Sequence, residues 1–122
     1  MIVLDTNVVS ELMKPAPASS VLRWTAEHPA TSLYTTSITQ AEILHGILLL
    51  PAGKRRNALE AAAEAMFNED FGGRILPFGP DAARAYAEIA VQRRRAGRPI
   101  SQFDAQIAAV ALATGAALAT RN

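Results

Sequence analysis

Hydrophobic and polar positions fall into blocks along the chain that predict strands followed by helices. An unbroken apolar run at residues 2–4 is typical of a strand that is buried on both faces of a parallel sheet. The run ends at Asp5, and Asn7 is a favourable N-cap for the helical pattern over residues 8–13. A carboxylate therefore stands at the carboxyl end of a predicted central strand, where open α/β sheets bind their ligands.

The rest of the chain continues this alternation. Later strands are predicted at residues 33–36, 74–78 and 116–119, and helices at residues 19–28, 37–50, 54–71, 80–96 and 101–114. Ser37 and Ser101 each open a helix in a capping-box pattern. This order predicts a single domain over residues 1–122, an α/β fold built as a three-layer α/β/α sandwich with a mainly parallel central sheet. Because the last predicted strand ends the chain, we expect the C-terminal strand of this fold to be missing.

Composition narrows the class of protein. Half of the 122 residues are hydrophobic and 19% are charged, which indicates a folded globular domain. The absence of cysteine excludes disulfide and thiolate chemistry. The sequence contains neither a signal peptide nor an apolar run of the ~20 residues that a membrane span needs.

The net charge of +1 does not by itself indicate nucleic-acid binding. The basic residues nevertheless cluster, at residues 54–56 and at residues 93–98. Such clusters are either solvated helix ends or phosphate contacts, and the pattern leaves both interpretations open.

Three carboxylates are distinguished by their surroundings. Asp5 ends the first strand, Glu42 lies in a helix whose neighbouring positions are almost all apolar, and Asp104 is the only charged residue between Pro99 and Thr120. We expect the helix that carries Asp104 to be buried nearly all round. Each acid also has a structural interpretation, as a turn or cap residue or as a first-turn acid that complements the helix dipole.

If the three acids meet, their charges must be compensated. Two like charges ~4 Å apart repel by about 4 kcal/mol at an effective dielectric constant near 20, so the cluster needs a proton, an arginine or a divalent cation. Oxygen ligands without cysteine favour Mg²⁺ or Mn²⁺ over Zn²⁺. With basic residues nearby, such a cluster indicates metal-dependent phosphodiester hydrolysis.

Other catalytic patterns are incomplete. Glu42 and His45 have the Glu-x-x-His spacing of di-iron sites, but the sequence has no second copy of that pair. There is no glycine-rich phosphate loop and no serine or cysteine nucleophile motif.

Four segments carry a resemblance to a known family. They are LDTNVVSEL at residues 4–12, TQAEILHG at residues 39–46, DAQIAAVA at residues 104–111 and ATRN at residues 119–122. Together, in this order and spacing, they resemble a PIN domain, most closely the VapC or FitB-like toxins of bacterial type II toxin–antitoxin systems.

The resemblance implies a Mg²⁺- or Mn²⁺-dependent endoribonuclease of the bacterial cytoplasm, with Asp5, Glu42 and Asp104 as its catalytic metal ligands. It implies partners as well: an RNA substrate, a second copy of the chain in a homodimer, and a cognate antitoxin whose arginine reaches the acidic pocket. Supporting roles are implied for Thr6, Asn7, Thr120 and Asn122. The family usually carries a fourth acid after its last strand, and here position 122 is Asn.

Two rival interpretations remain. One is a non-catalytic PIN-like module whose acidic pocket binds a basic partner protein or nucleic acid. The other is a scaffold in which all three acids only cap helices and turns, so that replacing them by asparagine, itself a good cap, would cost little stability.

Overall fold

The computed structural model describes residues 1–121, which form four short strands and six α-helices. The strands are β1 (Ile2–Leu4), β2 (Leu33–Thr36), β3 (Ile75–Leu76) and β4 (Ala117–Ala119). The helices are α1 (Thr6–Leu12), α2 (Ser19–Ala26), α3 (Ser37–Leu48), α4 (Lys54–Ala65), α5 (Pro80–Arg95) and α6 (Gln102–Thr114). The strands make one parallel sheet in the order β3-β2-β1-β4, which confirms the predicted sheet.

The central position of β1 explains its unbroken apolar sequence. Successive side chains of a strand point to opposite faces, and Val3 and Leu4 are both fully buried. Leu4 packs into the larger core cluster, which includes Val9 of α1 and Ile43 of α3. Val3 packs on the other face against Ile107 of α6. Helices therefore cover both faces of the sheet, as the predicted α/β/α sandwich requires.

The path of the chain creates a crevice beside β1. The chain runs from β1 outward through β2 to β3, and then crosses back to place β4 on the other side of β1. The carboxyl ends of β1 and β4 thus flank a topological switch point, the position where open α/β sheets bind ligands. The Asp5 N–H donates to the carbonyl oxygen of Ala119 at 3.0 Å, so these two strand ends are held together.

Two predictions from the sequence are wrong in detail. Helix α6 is not buried nearly all round: Phe103 is 51% exposed and Leu112 is 62% exposed, because α6 lies on the outside of the sandwich and presents one stripe to the sheet. Ser37 is not the cap of α3. The hydroxyl of Thr36, the last residue of β2, accepts the Thr39 N–H at 3.1 Å instead.

Ser101 does cap α6, where its hydroxyl accepts the Asp104 N–H at 3.1 Å. None of the helices within residues 1–121 has the length and hydrophobicity that a membrane span requires. The supporting role expected for Asn122 concerns a residue outside the described range.

Candidate active site at the end of the first strand

Asp5 is buried at the switch point and caps α1. Its side chain is 8% exposed, and its Oδ1 atom accepts the Val8 N–H at 3.0 Å. The prediction that Asn7 caps this helix is wrong: α1 begins at Thr6, so Asn7 is already its second residue, with an exposed side chain. Within residues 1–121, no hydrogen bond reaches Oδ2 of Asp5. One carboxylate oxygen thus holds the helix and the other is left for a ligand.

Glu42 is joined to the first strand through Thr6. The Thr6 hydroxyl donates to Oε1 of Glu42 at 2.7 Å, and it lies 3.1 Å from the hydroxyl of Thr39, which is fully buried. A hydroxyl has one proton and an ionised carboxylate only accepts, so Thr39 must donate to Thr6. This chain of hydrogen bonds fixes the half-buried Glu42 side chain beside the residue that follows Asp5.

Asp104 lies in the first turn of α6, and its side chain is exposed. In a parallel sheet the helix that leads into a strand begins at the carboxyl edge, and α6 leads into β4, the neighbour of β1. Asp104 is therefore on the same edge of the sheet as Asp5. Its carboxylate forms no hydrogen bond with any residue in the described part of the chain.

Thr120 belongs to the same edge because it directly follows β4, and its side chain is exposed. The neighbouring Ala119 carbonyl is the group that accepts the Asp5 N–H. Three of the chain's predicted polar site residues, Asp5, Thr6 and Thr120, thus follow the two strands that flank the switch point.

Comparison with known proteins assigns the family. The PIN domain family model matches residues 2–122. The chain belongs to the PIN-domain family. It is 43% identical over 122 residues to VapC ribonuclease Y4jK of Sinorhizobium fredii, covering all of this chain and 87% of that protein. It is 38% identical to toxin FitB of Neisseria gonorrhoeae, again over its whole length and over 88% of that protein.

A solved structure agrees with the fold. The crystal structure of FitAcB from Neisseria gonorrhoeae superimposes with a TM-score of 0.90 at 38% identity, covering all of this chain and 88% of that one. The parallel sheet and its flanking helices are therefore those of a PIN-domain toxin.

A cleft of about 680 Å³ opens on this PIN domain between α1, α3 and α4. Thr6 and Glu42 line it, and Lys14 and Arg55 add two cations. The remaining lining is largely apolar and comes from Met13, Ile43, Ile47, Leu50 and Leu59. The cleft therefore combines one of the candidate catalytic carboxylates with a largely apolar surface.

The donor set suits a hard divalent cation. Asp5, Glu42 and Asp104 offer only carboxylate oxygens, which Mg²⁺ and Mn²⁺ prefer, and Mg²⁺ commonly needs just one or two protein carboxylates with water completing its shell. In residues 1–121, no three Asp, Glu, His or Cys side chains are gathered into a group that could hold a metal ion. The three-carboxylate ligand set stays a prediction; Asp5 and Glu42 are linked through Thr6.

A fourth acid, Glu11, was missed by reasoning from the sequence. It is buried with 5% exposure, and its carboxylate accepts hydrogen bonds from Lys14 at 2.8 Å, from the Ala18 N–H at 2.9 Å and from Arg121. The Lys14 and Ala18 hydrogen bonds, with the charge of Arg121, lower the pKa of Glu11 to about 2 despite its burial. The sequence does carry a signal for Glu11, because this acid lies three residues after Val8 and therefore on the same buried face of α1.

His45, the histidine of the Glu-x-x-His pair, is exposed on α3. The sequence has no second Glu-x-x-His pair, which a di-iron site would need.

Proposed function

We propose that this PIN domain is a divalent-metal-dependent endoribonuclease toxin that hydrolyses RNA phosphodiester bonds in the bacterial cytoplasm. The observation that carries the proposal is the buried Asp5 at the switch point, with one carboxylate oxygen free of hydrogen bonds in the described structure. The similarity to VapC ribonuclease Y4jK supports RNA as the substrate.

The chain's own residues hold the acids in place. The Val8 N–H fixes Asp5 through Oδ1, and Thr6 fixes Glu42 through Oε1. In this proposal Asp5, Glu42 and Asp104 hold the metal, directly or through water. A bound Mg²⁺ or Mn²⁺ would stabilise negative charge on the scissile phosphate and lower the pKa of a water molecule. Thr120, at the end of β4, lies on the edge where that phosphate would bind.

An antitoxin partner fits the cleft between α1, α3 and α4. Its apolar lining suits the apolar face of a partner helix, and Glu42 provides a carboxylate for an arginine of that partner. An arginine there would compensate the acids and occupy the site. The similarity to the FitAcB structure supports such a complex, and we include a homodimer of this chain in the proposed assembly.

Cleavage of RNA by the purified chain in Mn²⁺ or Mg²⁺ tests the proposal. We expect turnover that EDTA abolishes and that Asp5→Asn, Glu42→Gln and Asp104→Asn each reduce by at least about 100-fold. Asp81→Asn is the matched control for Asp104, because Asp81 is also an exposed first-turn acid, on α5. Asparagine remains a good cap, so Asp5→Asn should keep the fold.

Calorimetric titration with Mn²⁺ separates the rival interpretations. Saturable binding that Asp104→Asn removes would assign this residue to the metal site. Tight binding of a basic partner by a well-folded chain, without metal-dependent turnover of RNA, would instead favour the non-catalytic module. If all three acid variants bind metal and cleave RNA as the wild type does, the interpretation in which the acids only cap helices and turns is favoured.

A further inference from the structure

Four arginines form an exposed cluster at the end of α5. Arg93, Arg94 and Arg95 occupy its last turn and Arg98 follows it; we call these four residues the basic rim. All four side chains are exposed, and within residues 1–121 none of them pairs with an acidic side chain. The domain as a whole carries a net charge of only +1, so the basic rim is a strong local concentration of positive charge.

The rim is held rigidly at its end. Gly97 adopts a left-handed φ of 70°, its N–H donates to the Arg94 carbonyl at 3.1 Å, and the Arg98 N–H donates to the Arg93 carbonyl at 2.9 Å. These two bonds form a Schellman motif. The Nε–H of Arg93 also donates to the Arg98 carbonyl at 2.8 Å. The backbone of Arg98 is therefore fixed against the end of α5, and its guanidinium remains available.

The rim leads directly to the candidate active site. A short loop joins α5 to α6, and the two helices pack against each other, so the end of α5 lies beside the start of α6. Asp104 is in that first turn, which Ser101 caps. Immediately before Asp104, Phe103 is 51% exposed. A large aromatic ring thus lies between the positive charge and the candidate catalytic acid along the chain.

We propose that the basic rim and Phe103 together bind single-stranded RNA next to the scissile bond. The arginines contact backbone phosphates, and the Phe103 ring stacks on an unpaired base. This inference rests on the proposed ribonuclease function and adds the surface that holds the substrate. Phosphate contacts supply charge-dependent affinity, and aromatic stacking requires bases that are not already paired within a duplex.

The charge contribution is tested with an Arg94→Gln, Arg95→Gln, Arg98→Gln triple variant. Arg93 is kept because its side chain closes the turn. The control variant Arg23→Gln, Arg84→Gln removes two positive charges at dispersed exposed positions outside both basic clusters. Binding of a labelled single-stranded RNA is measured by fluorescence anisotropy over a salt series in EDTA, so that no cleavage occurs. RNA affinity falls as the salt concentration rises, and each phosphate contact adds about 0.7 to the steepness of the plot of log affinity against log salt. We expect the rim variant, which removes three arginines, to make this plot less steep by about 2. The control variant should leave the steepness near the wild-type value.

The stacking contribution is tested with three substitutions of Phe103. Phe103→Ala and Phe103→Leu should weaken binding about 5- to 100-fold, while Phe103→Trp should retain it, because leucine keeps the apolar bulk without an aromatic face. An RNA with an abasic position should show the same loss with the wild-type chain and little further loss with Phe103→Leu. Annealing the strand to its complement should remove the Phe103 effect.

Several results would overturn the inference. These are a rim variant with the same salt dependence as the dispersed control, Phe103 variants that bind RNA normally but change the oligomeric state, and tighter binding of duplex than of single-stranded RNA. Failure of the proposed function is separate, because binding is measured without metal. A chain that binds RNA through these residues but never cleaves it would contradict only the nuclease, and cleavage that is unaffected by the rim and Phe103 variants would contradict only this surface.

Discussion

The carboxylate of Glu11 accepts a hydrogen bond from the guanidinium of Arg121, a residue 110 positions later in the chain. Glu11 lies in the helix that follows β1, and Arg121 follows Thr120 at the end of β4. The ion pair therefore ties together the segments that leave the two strands flanking the switch point. Because Glu11 also accepts the Ala18 N–H, the same carboxylate holds the loop between α1 and α2.

The lowered pKa of Glu11 predicts how stability depends on pH. A carboxyl group with a pKa of about 2 in the folded state, against an ordinary value of 4.5, stabilises the fold fully above about pH 4.5. That contribution declines as the pH falls from about 4.5 to about 2. We expect Glu11→Gln to lower the Tm at pH 7, and the difference between variant and wild type to shrink over that acidic range.

Thermal unfolding followed by circular dichroism between pH 2.5 and pH 7 (roughly the range over which this carboxyl titrates) makes the measurement. Glu60→Gln is the control, because Glu60 is a half-exposed acid in a surface pair with Arg56. A Tm difference for Glu11→Gln that stays constant across the acidic range would contradict the assignment.

Removing the Thr6 hydroxyl should impair the site while leaving the fold intact. Thr6→Val keeps the shape but deprives Oε1 of Glu42 of its donor and the Thr39 hydroxyl of its acceptor. We expect Mn²⁺ affinity and RNA cleavage to fall about 10- to 100-fold, as is common when a residue that orients a metal ligand is lost. Thr6→Ser should restore both.

Thr25→Val is the control for this loss of a hydroxyl, because Thr25 donates only to carbonyls of its own helix, α2. Equal activity of Thr6→Val and wild type, measured at limiting metal, would show that Glu42 needs no support from Thr6.

The cap of α3 can be assigned by a pair of neighbouring substitutions. Thr36→Ala removes the hydroxyl that accepts the Thr39 N–H, and it should lower the free energy of unfolding by about 1 kcal/mol, within a range of about 0.5–2 kcal/mol. Ser37→Ala removes the hydroxyl that the sequence pattern favoured and should have a much smaller effect. Urea denaturation measures both, and the reverse order would return the cap to Ser37.

Two glycines should respond in opposite directions to alanine. Gly46 lies within α3 with no atom within 4 Å of an added Cβ, so Gly46→Ala should raise the free energy of unfolding by about 0.5–1 kcal/mol. Gly115 ends α6 in the left-handed region at φ 69°, so Gly115→Ala should lower it by about 1–2 kcal/mol. Urea denaturation of both variants checks the signs; destabilisation by Gly46→Ala would mean that its open position in the cleft is needed for another reason.

The order and type of the elements could be predicted because they depend on local patterns. The apolar run of β1 reflects burial on both faces, and Ser101 and Gly115 mark the ends of α6 through interactions within a few residues. Caps were placed one or two residues too late at α1 and α3. Each helix start offers two residues that are good caps: Asp5 or Asn7 at α1, and Thr36 or Ser37 at α3. In both cases the cap is the residue at the end of the preceding strand, Asp5 or Thr36.

The sequence by itself determined the alternation of strands and helices, the carboxylate at the end of β1 and the four segments of the PIN-domain pattern. Only the tertiary structure decided that Thr6 joins Glu42 to that strand end, that Glu11 pairs with Arg121, and that α6 exposes Phe103 beside Asp104. The physical reason is sequence separation. Caps and periodicity act over a few residues, whereas Thr6 meets Glu42 only when α1 packs on α3, and Glu11 meets Arg121 only when the sheet places β4 next to β1. The exposure of Phe103 likewise depends on which face of α6 packs inward.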